Sequence, residues 1–227
     1  AIERAVREVI AHMESEARAP KALPRDAVTC AGSQTLAAPC SEVECGAPED
    51  AIAVEVSARH VHLSLEDLRA LFGRDDLPSQ RAISQPGQYL STLRVRLIGP
   101  RGVLDDVAVL GPVRGATQAE ISATDARFLG VRAPVNLSGD LSGAATVFIQ
   151  AGDRLLQRAC AIIARRHVHM TPEQAKAFGV VDGEEVSLAV AGARPIILTG
   201  VVARVSPQSA LALHIDTDEA NAAGAWG

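Results

Sequence analysis

The tripeptide His-Val-His stands twice in this chain, at His60-Val61-His62 and at His167-Val168-His169. Each lies in a longer stretch that resembles the other: Ala58-Arg59-His60-Val61-His62-Leu63-Ser64-Leu65-Glu66 and Arg165-Arg166-His167-Val168-His169-Met170-Thr171-Pro172-Glu173. Side chains alternate faces in extended backbone, so both imidazoles of each copy point to the same side. Short apolar runs rich in β-branched residues precede them, Ile52-Ala53-Val54-Glu55-Val56-Ser57 and Ala161-Ile162-Ile163-Ala164, and each copy is read as the end of a strand. A helix start follows at once. Ser64 precedes Glu66 and Asp67, and Thr171-Pro172-Glu173-Gln174 puts proline at the first helical position and completes a capping box. The chain must therefore fold as two related halves, each presenting an imidazole pair at a strand-to-helix junction.

A single exposed His-x-His is ordinarily polar surface. Two copies in matching contexts, with a further histidine in Leu213-His214-Ile215-Asp216, point instead to a metal site. Imidazole ligands without neighbouring thiolates suit zinc, with cobalt, nickel and copper in the same ligand class. The remaining histidine, His12, lies in a different segment and is read as solvent-exposed.

The 227 residues allow one large domain or two small ones, and 48% hydrophobic with 22% charged residues is ordinary for a soluble protein. Only 3% are aromatic and the net charge is -5, which leaves neither stacking platforms nor a basic footprint for nucleic acid. No apolar run approaches the ~20 residues of a membrane span, and the charged N-terminal segment lacks the apolar core of a secretory signal. A cytoplasmic protein is expected. The cysteines Cys30, Cys40, Cys45 and Cys160 show no Cys-x-x-Cys spacing and are read as reduced, incidental thiols.

Residues 1–17 place Ile2, Ala5, Val6, Val9, Ile10 and Met13 on one face of an amphipathic helix. Residues 18–50, rich in Pro, Ser, Gly, Ala and Cys without periodicity, read as a flexible linker. Strands are expected at 52–57, 92–98, 102–110, 116–122, 145–150, 160–165, 185–190, 195–204 and 210–215, and helices at 64–72, 124–129 and 172–178. The fold expected is mainly β with short capping helices: two similar β-barrel lobes, 51–154 and 155–227, with the active site between them.

Several strings together resemble the phosphate propanoyltransferases of bacterial microcompartments, the Pdu-type phosphotransacylases. They are Val56-Ser57-Ala58-Arg59-His60-Val61-His62-Leu63-Ser64, Ser84-Gln85-Pro86-Gly87-Gln88, Leu110-Gly111-Pro112-Val113-Arg114 and Thr117-Gln118-Ala119-Glu120-Ile121-Ser122. Further on come Ala133-Pro134-Val135, Ser138-Gly139-Asp140, Arg166-His167-Val168-His169-Met170 and His214-Ile215-Asp216-Thr217-Asp218-Glu219-Ala220-Asn221-Ala222-Ala223, so the likeness spans about 52 to 223.

The resemblance implies an enzyme interconverting a short acyl-CoA, propanoyl-CoA or acetyl-CoA, plus phosphate with acyl phosphate plus CoA. It implies two zinc ions between two β-barrel domains. His60 and His62 would hold one, whose remaining position takes the CoA sulfur; His167, His169 and His214 would hold the other. Glu120 would lie beside the pair as a ligand or as a group orienting one, and Arg114 would bind phosphate. Ser57, Leu110, His214 and Asn221 would belong to the CoA pocket. The chemistry agrees: a thioester needs a stabilised thiolate leaving group, which zinc provides, and a planar guanidinium grips phosphate through paired hydrogen bonds.

The chain departs from the family at positions where a basic residue is common: it has Ala82 and Ile83 before the Ser-Gln-Pro-Gly-Gln string, Ala108 before Leu110, and Asn136 after Ala-Pro-Val. Arg81, Arg94, Arg96 and Arg132 are the candidates to compensate. The resemblance also implies a meaning for the N-terminal segment, because enzymes of these compartments often carry a short amphipathic helix and a linker that direct them into the shell. Residues 1–17 are accordingly expected to be an encapsulation segment, and the protein a homo-oligomer of the cytoplasm inside a microcompartment for propanediol degradation. Rival readings are a zinc hydrolase acting on a thioester or other ester, and a non-enzymatic metal-binding scaffold.

Overall fold

The β-branched runs become strands arranged in two sheets in the computed structural model, which describes residues 21–22, 28–30, 51–191 and 193–226. In chain order these are β1 (Lys21–Ala22), β2 (Val28–Cys30), β3 (Val54–Ser57), β4 (His60–Ser64) and β5 (Ser79–Ala82). There follow β6 (Tyr89–Ile98), β7 (Val103–Arg114), β8 (Gln118–Ile121), β9 (Val135–Asn136) and β10 (Ala145–Ala151). The last are β11 (Arg154–Ala164), β12 (His167–Met170), β13 (Glu185–Ala191), β14 (Ile196–Val205) and β15 (Ala212–Asp216). Four short helices, α1 (Leu65–Phe72), α2 (Ala123–Leu129), α3 (Pro172–Phe178) and α4 (Thr217–Ala223), follow β4, β8, β12 and β15.

The first sheet runs β10-β11-β8-β4-β7-β6, and β6 pairs back onto β10, closing a six-stranded barrel flanked by β5 and β9. The second runs β1-β13-β14-β12-β15-β3, with β2 also on β13. Among the described residues that path stays open, so the mainly β fold with short capping helices comprises one closed barrel and one sheet. The amphipathic helix expected at 1–17 lies outside the described residues, as does most of 18–50. Two short pieces of that expected linker, β1 and β2, pair parallel to β13. No helix of the described residues is long and apolar enough to cross a membrane.

The repeat seen in the sequence reappears as repeated connectivity. β4 lies parallel to β7 and antiparallel to β8, and β12 lies parallel to β14 and antiparallel to β15. The strand before each histidine pair is exchanged: β3 pairs with β15 in the second sheet, and β11 with β8 in the barrel. Strand membership thus crosses the expected division at 154/155. Each His-x-His begins a new strand in the other sheet instead of ending the preceding one, because Ala58-Arg59 and Arg165-Arg166 carry the crossing. Packing follows the exchange. Ile52, Val54 and Val56 bury against Val168, Met170, Leu213 and Ile215, whereas Cys160, Ala161 and Ile163 belong to the barrel core.

Capping fixes where each helix begins. Ser64 Oγ accepts from the Asp67 amide, and Thr171 and Gln174 form the reciprocal box read from the sequence. Ser122 with Asp125 and Asp216 with Glu219 make two more boxes. The crossing arginines brace these starts: Arg59 lies 3.4 Å from Asp125 and Arg166 3.2 Å from Glu219. α1 and α3 end at Gly73 and Gly179 with φ of 66° each, a left-handed conformation that glycine adopts without a Cβ penalty. Burial pushes the Cys160 thiol up to about 12, so it is an inert core side chain.

The exchange has a measurable consequence. Ile52 precedes the first repeat but is fully buried in the core of the second. Ile52→Ala is expected to cost about 2–5 kcal/mol, and hydrogen exchange should accelerate first in β12, β14 and β15 while the barrel amides stay protected.

Candidate active site

Cross-strand register assembles two clusters of three. In the β4/β8 ladder His60 faces Glu120, and in the β12/β15 ladder His167 faces His214. Residues one pleat along, His62 and His169, join the same faces. The results are His60, His62 and Glu120 in the barrel and His167, His169 and His214 in the second sheet, the ligand atoms of each group lying within 4.8 Å of one another. Glu120 and His214 are thus equivalent positions of the repeat carrying different donors.

Hydrogen bonding sets the imidazole tautomers. His60 Nδ1 is 2.8 Å from the Ala58 carbonyl and His167 Nδ1 is 2.9 Å from that of Arg165. A carbonyl only accepts, so both Nδ1 atoms carry the proton and, in the neutral rings, both Nε2 atoms keep a lone pair. Burial, with neighbouring positive groups, pulls His167 down to about 4 and His169 and His62 down to about 3. These rings are neutral at physiological pH, which is the form that binds metal. His167 Nε2 and His169 Nε2 approach to 3.1 Å, and all three rings of that cluster lie with centroids within 5.1 Å.

The barrel cluster differs because it contains a carboxylate. Burial disfavours charge on His60, but Glu120 outweighs it and raises the ring's proton affinity. Burial likewise works against the Glu120 charge, yet His60 and a hydrogen bond from Ser138 hold it well below the usual carboxylate range. Glu120 Oε1 accepts from Gln118 Nε2 at 2.6 Å and Ser138 Oγ at 2.7 Å, while Oε2 faces His60 Nε2 at 3.6 Å. A lone pair facing a carboxylate needs a proton or a cation between them. His62 Nδ1 is buried without a well-formed hydrogen bond among the described residues, an open valence that ligation would account for. Five imidazoles and one carboxylate, without thiolate, fit zinc.

Surrounding groups hold these donors in place. Glu55, from exchanged strand β3, lies 3.1 Å from His214 Nε2 and accepts a hydrogen bond from Ser84. The His214 contact outweighs burial and keeps Glu55 ionised to lower pH than usual. Gln85 of the Ser-Gln-Pro-Gly-Gln string pins the approach to β15, donating to the Ala210 carbonyl at 3.1 Å and accepting from its amide at 3.2 Å. Arg114 ends β7 with Nη1 3.0 Å from Ser138 Oγ.

Both clusters open into an inner cavity of about 170 Å³ shared with Arg114, Ser138 and Arg204. It is continuous with a wider groove of about 980 Å³ through Ser57, His60, Ile83, Leu110 and His214, which line both. The sequence-derived candidates His60, His62, Arg114, Glu120, His167, His169, His214, Ser57 and Leu110 therefore come together. Asn221 does not join them: it is exposed on α4, accepts from Trp226 Nε1 at 2.9 Å, and lines neither space. Of the four compensating arginines, Arg81 and Arg94 line the groove, joined by Arg59. Arg96 is paired with Asp105, and Arg132 lines neither space. Glu55, Gln118, Ser138 and Arg204 were not among the candidates. Gln118 and Ser138 stand in the family strings and could have been proposed, whereas Glu55 and Arg204 become neighbours of the site only through strand exchange and parallel pairing.

Comparison with known proteins agrees with this arrangement. A model of the phosphate propanoyltransferase family matches residues 53–226. A phosphate propanoyltransferase of Alkaliphilus metalliredigens is 48% identical over 174 residues, 76% of this chain and 82% of that protein. Those of Shewanella putrefaciens and Thermotoga maritima are each 49% identical, covering 76% and 77% of this chain and 83% and 85% of their own lengths. With most of the chain matched by the family and by relatives at this identity, the protein belongs to the phosphate propanoyltransferase family, a family of acyltransferases.

Proposed function

We propose that this protein transfers a short acyl group between CoA and phosphate at a two-zinc site, with propanoyl-CoA or acetyl-CoA as the acyl donor. The observation that carries the reading is the convergence of two three-donor clusters and Arg114 on one cavity, at the end of a groove of about 980 Å³. His60, His62 and Glu120 would hold one ion, and His167, His169 and His214 the other. Two zinc ions, when bound, would stabilise the thiolate of the leaving group and polarise the carbonyl oxygen.

In the forward step a phosphate oxygen attacks the thioester carbonyl carbon, a C–O bond forms, the C–S bond breaks, and its electron pair leaves with sulfur. Any proton carried by phosphate is lost to solvent, and CoA leaves as thiolate or thiol. Arg114 orients phosphate by a bidentate contact, and Ser138 fixes the guanidinium while also anchoring Glu120. Ser57 and Leu110 form the passage through which the thioester enters, and Arg59, Arg81 and Arg94 supply positive charge along the groove for the CoA phosphates. Acetyl and propanoyl groups differ by one methylene, worth about 1–3 kcal/mol in an apolar pocket, so both are expected to react. A guanidinium aimed into the cavity favours phosphate as acceptor over the water a zinc hydrolase would use.

Release of CoA from propanoyl-CoA should require phosphate, stop with a chelator and return with zinc; release without phosphate would instead indicate a hydrolase. His60→Ala and His167→Ala should each lower turnover by more than about 100-fold while circular dichroism stays unchanged, and full activity in either variant would remove the metal assignment. Arg114→Ala is expected to raise the phosphate KM roughly 10- to 100-fold, the value of one or two charge-assisted hydrogen bonds, with the propanoyl-CoA KM little changed.

The same reading places the enzyme inside a bacterial microcompartment, directed there by residues 1–17. The apolar face formed by Ile2, Val6, Val9, Ile10 and Met13 would dock on a shell protein or a second copy of the enzyme. Removing residues 1–45 should abolish co-purification with shells while leaving turnover intact, and unchanged co-purification would eliminate this role.

A further inference from the structure

We infer that Arg204 is a second phosphate-binding residue, closing a two-arginine clamp whose other jaw is Arg114. The inference rests on the phosphate acyltransferase reading and adds to it a substrate contact from the second sheet.

Three observations carry it. First, Arg204 lines the inner cavity with both clusters, Arg114 and Ser138, and the β12/β14 ladder sets it directly beside His169. Second, it is half-buried, yet among the described residues its side chain has neither a hydrogen bond nor a carboxylate within ion-pair distance. Arg59, Arg94, Arg96, Arg158 and Arg166 all have such a carboxylate. Arg114 also lacks one, its side chain meeting only Ser138 Oγ. The two guanidiniums are close enough that the charge of Arg204 lowers the proton affinity of Arg114; burial does so more strongly, and the carboxylate of Glu120 works the other way. Two guanidiniums without a paired carboxylate line one small cavity, where the carboxylate of Glu120 is engaged by Gln118, Ser138 and His60, and this leaves their charge available to an anion.

Third, the repeat breaks its own symmetry at this point. Leu110 sits opposite His62 in the β4/β7 ladder, in the place that Arg204 holds opposite His169. Leu110 lines the groove as well as the cavity, whereas Arg204 and Arg114 line the cavity but not the groove, Arg114 also bordering a separate pocket beside Ser64 and Thr117. The cations of the groove, Arg59, Arg81 and Arg94, form a separate set. One end of the site is thus shaped for a thioester and its acyl chain, and the other for a small polyanion. A phosphate held between guanidiniums from opposite sheets is fixed in position and rotation, which a single fork does not achieve.

The test compares the zinc-loaded full chain with its Arg204→Gln and Arg204→Lys variants, using inorganic phosphate as the probe. Equilibrium dialysis of radiolabelled phosphate without CoA measures binding, and steady-state assays give KM for phosphate and for propanoyl-CoA. Arg204→Gln should weaken phosphate binding and raise the phosphate KM by roughly tenfold or more, the loss of a charge-assisted contact, with the propanoyl-CoA KM within about twofold. Arg204→Lys should recover part of the loss, because the charge returns without the fork. Unchanged phosphate binding and KM in Arg204→Gln would overturn the inference, as would an equal rise in the propanoyl-CoA KM, which would assign the arginine to CoA. If Arg204→Gln does not fold, the phosphate KM of Arg204→Lys decides on the same terms. Failure of the unmodified protein itself to bind or use phosphate would overturn the phosphate acyltransferase reading, an outcome separable from the others.

Discussion

The reciprocal exchange of β3 and β11 between the two sheets is the constraint on which the site depends. Each exchanged strand must cross to the other sheet within two residues, and the residue directly after the crossing is the first histidine of a pair. The crossing also leaves the carbonyls of Ala58 and Arg165 free to accept from His60 and His167, which fixes the Nε2 lone pairs toward the interior. A histidine pair at the end of an uninterrupted strand would have no such carbonyl two residues back on its own side. Local backbone geometry and ligand orientation are therefore one feature, repeated. Because each lobe's core contains a strand from the other repeat, the lobes cannot separate without unpairing β3 or β11, and the clusters are held at a fixed distance by covalent topology as well as by packing.

Electrostatics explains why the interior tolerates so many titratable groups. His167 and His169 of the second-sheet cluster are held neutral by burial and by neighbouring positive charge, and neutral imidazole costs little to bury. In the barrel cluster a full negative charge sits at Glu120, and three partners share it: the amide of Gln118, the hydroxyl of Ser138 and the ring of His60. The two clusters consequently offer different total charge to a bound ion, three neutral donors in one and two neutral donors with a carboxylate in the other. Outside these clusters the carboxylate of Glu55 stands 3.1 Å from Nε2 of His214 and holds that ring in place.

Much of this was legible in the chain. The doubled His-Val-His and the capping residues after it placed α1 and α3 within a residue, and His214 was recognised by its alternating neighbours, but the histidine pairs read as the ends of the preceding strands and not as strands of their own. What was not legible is non-local. The periodicity of Val54–Ser57 says that the segment is a strand but not which sheet receives it, so the exchange and the place of Glu55 were invisible. Arg204 is separated from His169 by a helix and a strand, and only parallel pairing makes them neighbours. Asn221, by contrast, carried a family motif but no local physical signal, and its amide is engaged with Trp226 on the surface.

The duplication also bears on how a symmetric scaffold produces an asymmetric reaction. Two copies of one motif would by themselves build two equal sites, whereas acyl transfer needs a thiolate side and a phosphate side. The repeat departs from symmetry at the cross-strand partners of the histidines, where the register makes every substitution point into the cavity: Glu120 against His214, and Leu110 against Arg204. Changes at these positions leave the ladders intact, since strand pairing uses backbone groups and the cores lie on the opposite faces. A fold of this kind can therefore differentiate its two ends one side chain at a time without disturbing the framework that holds both clusters.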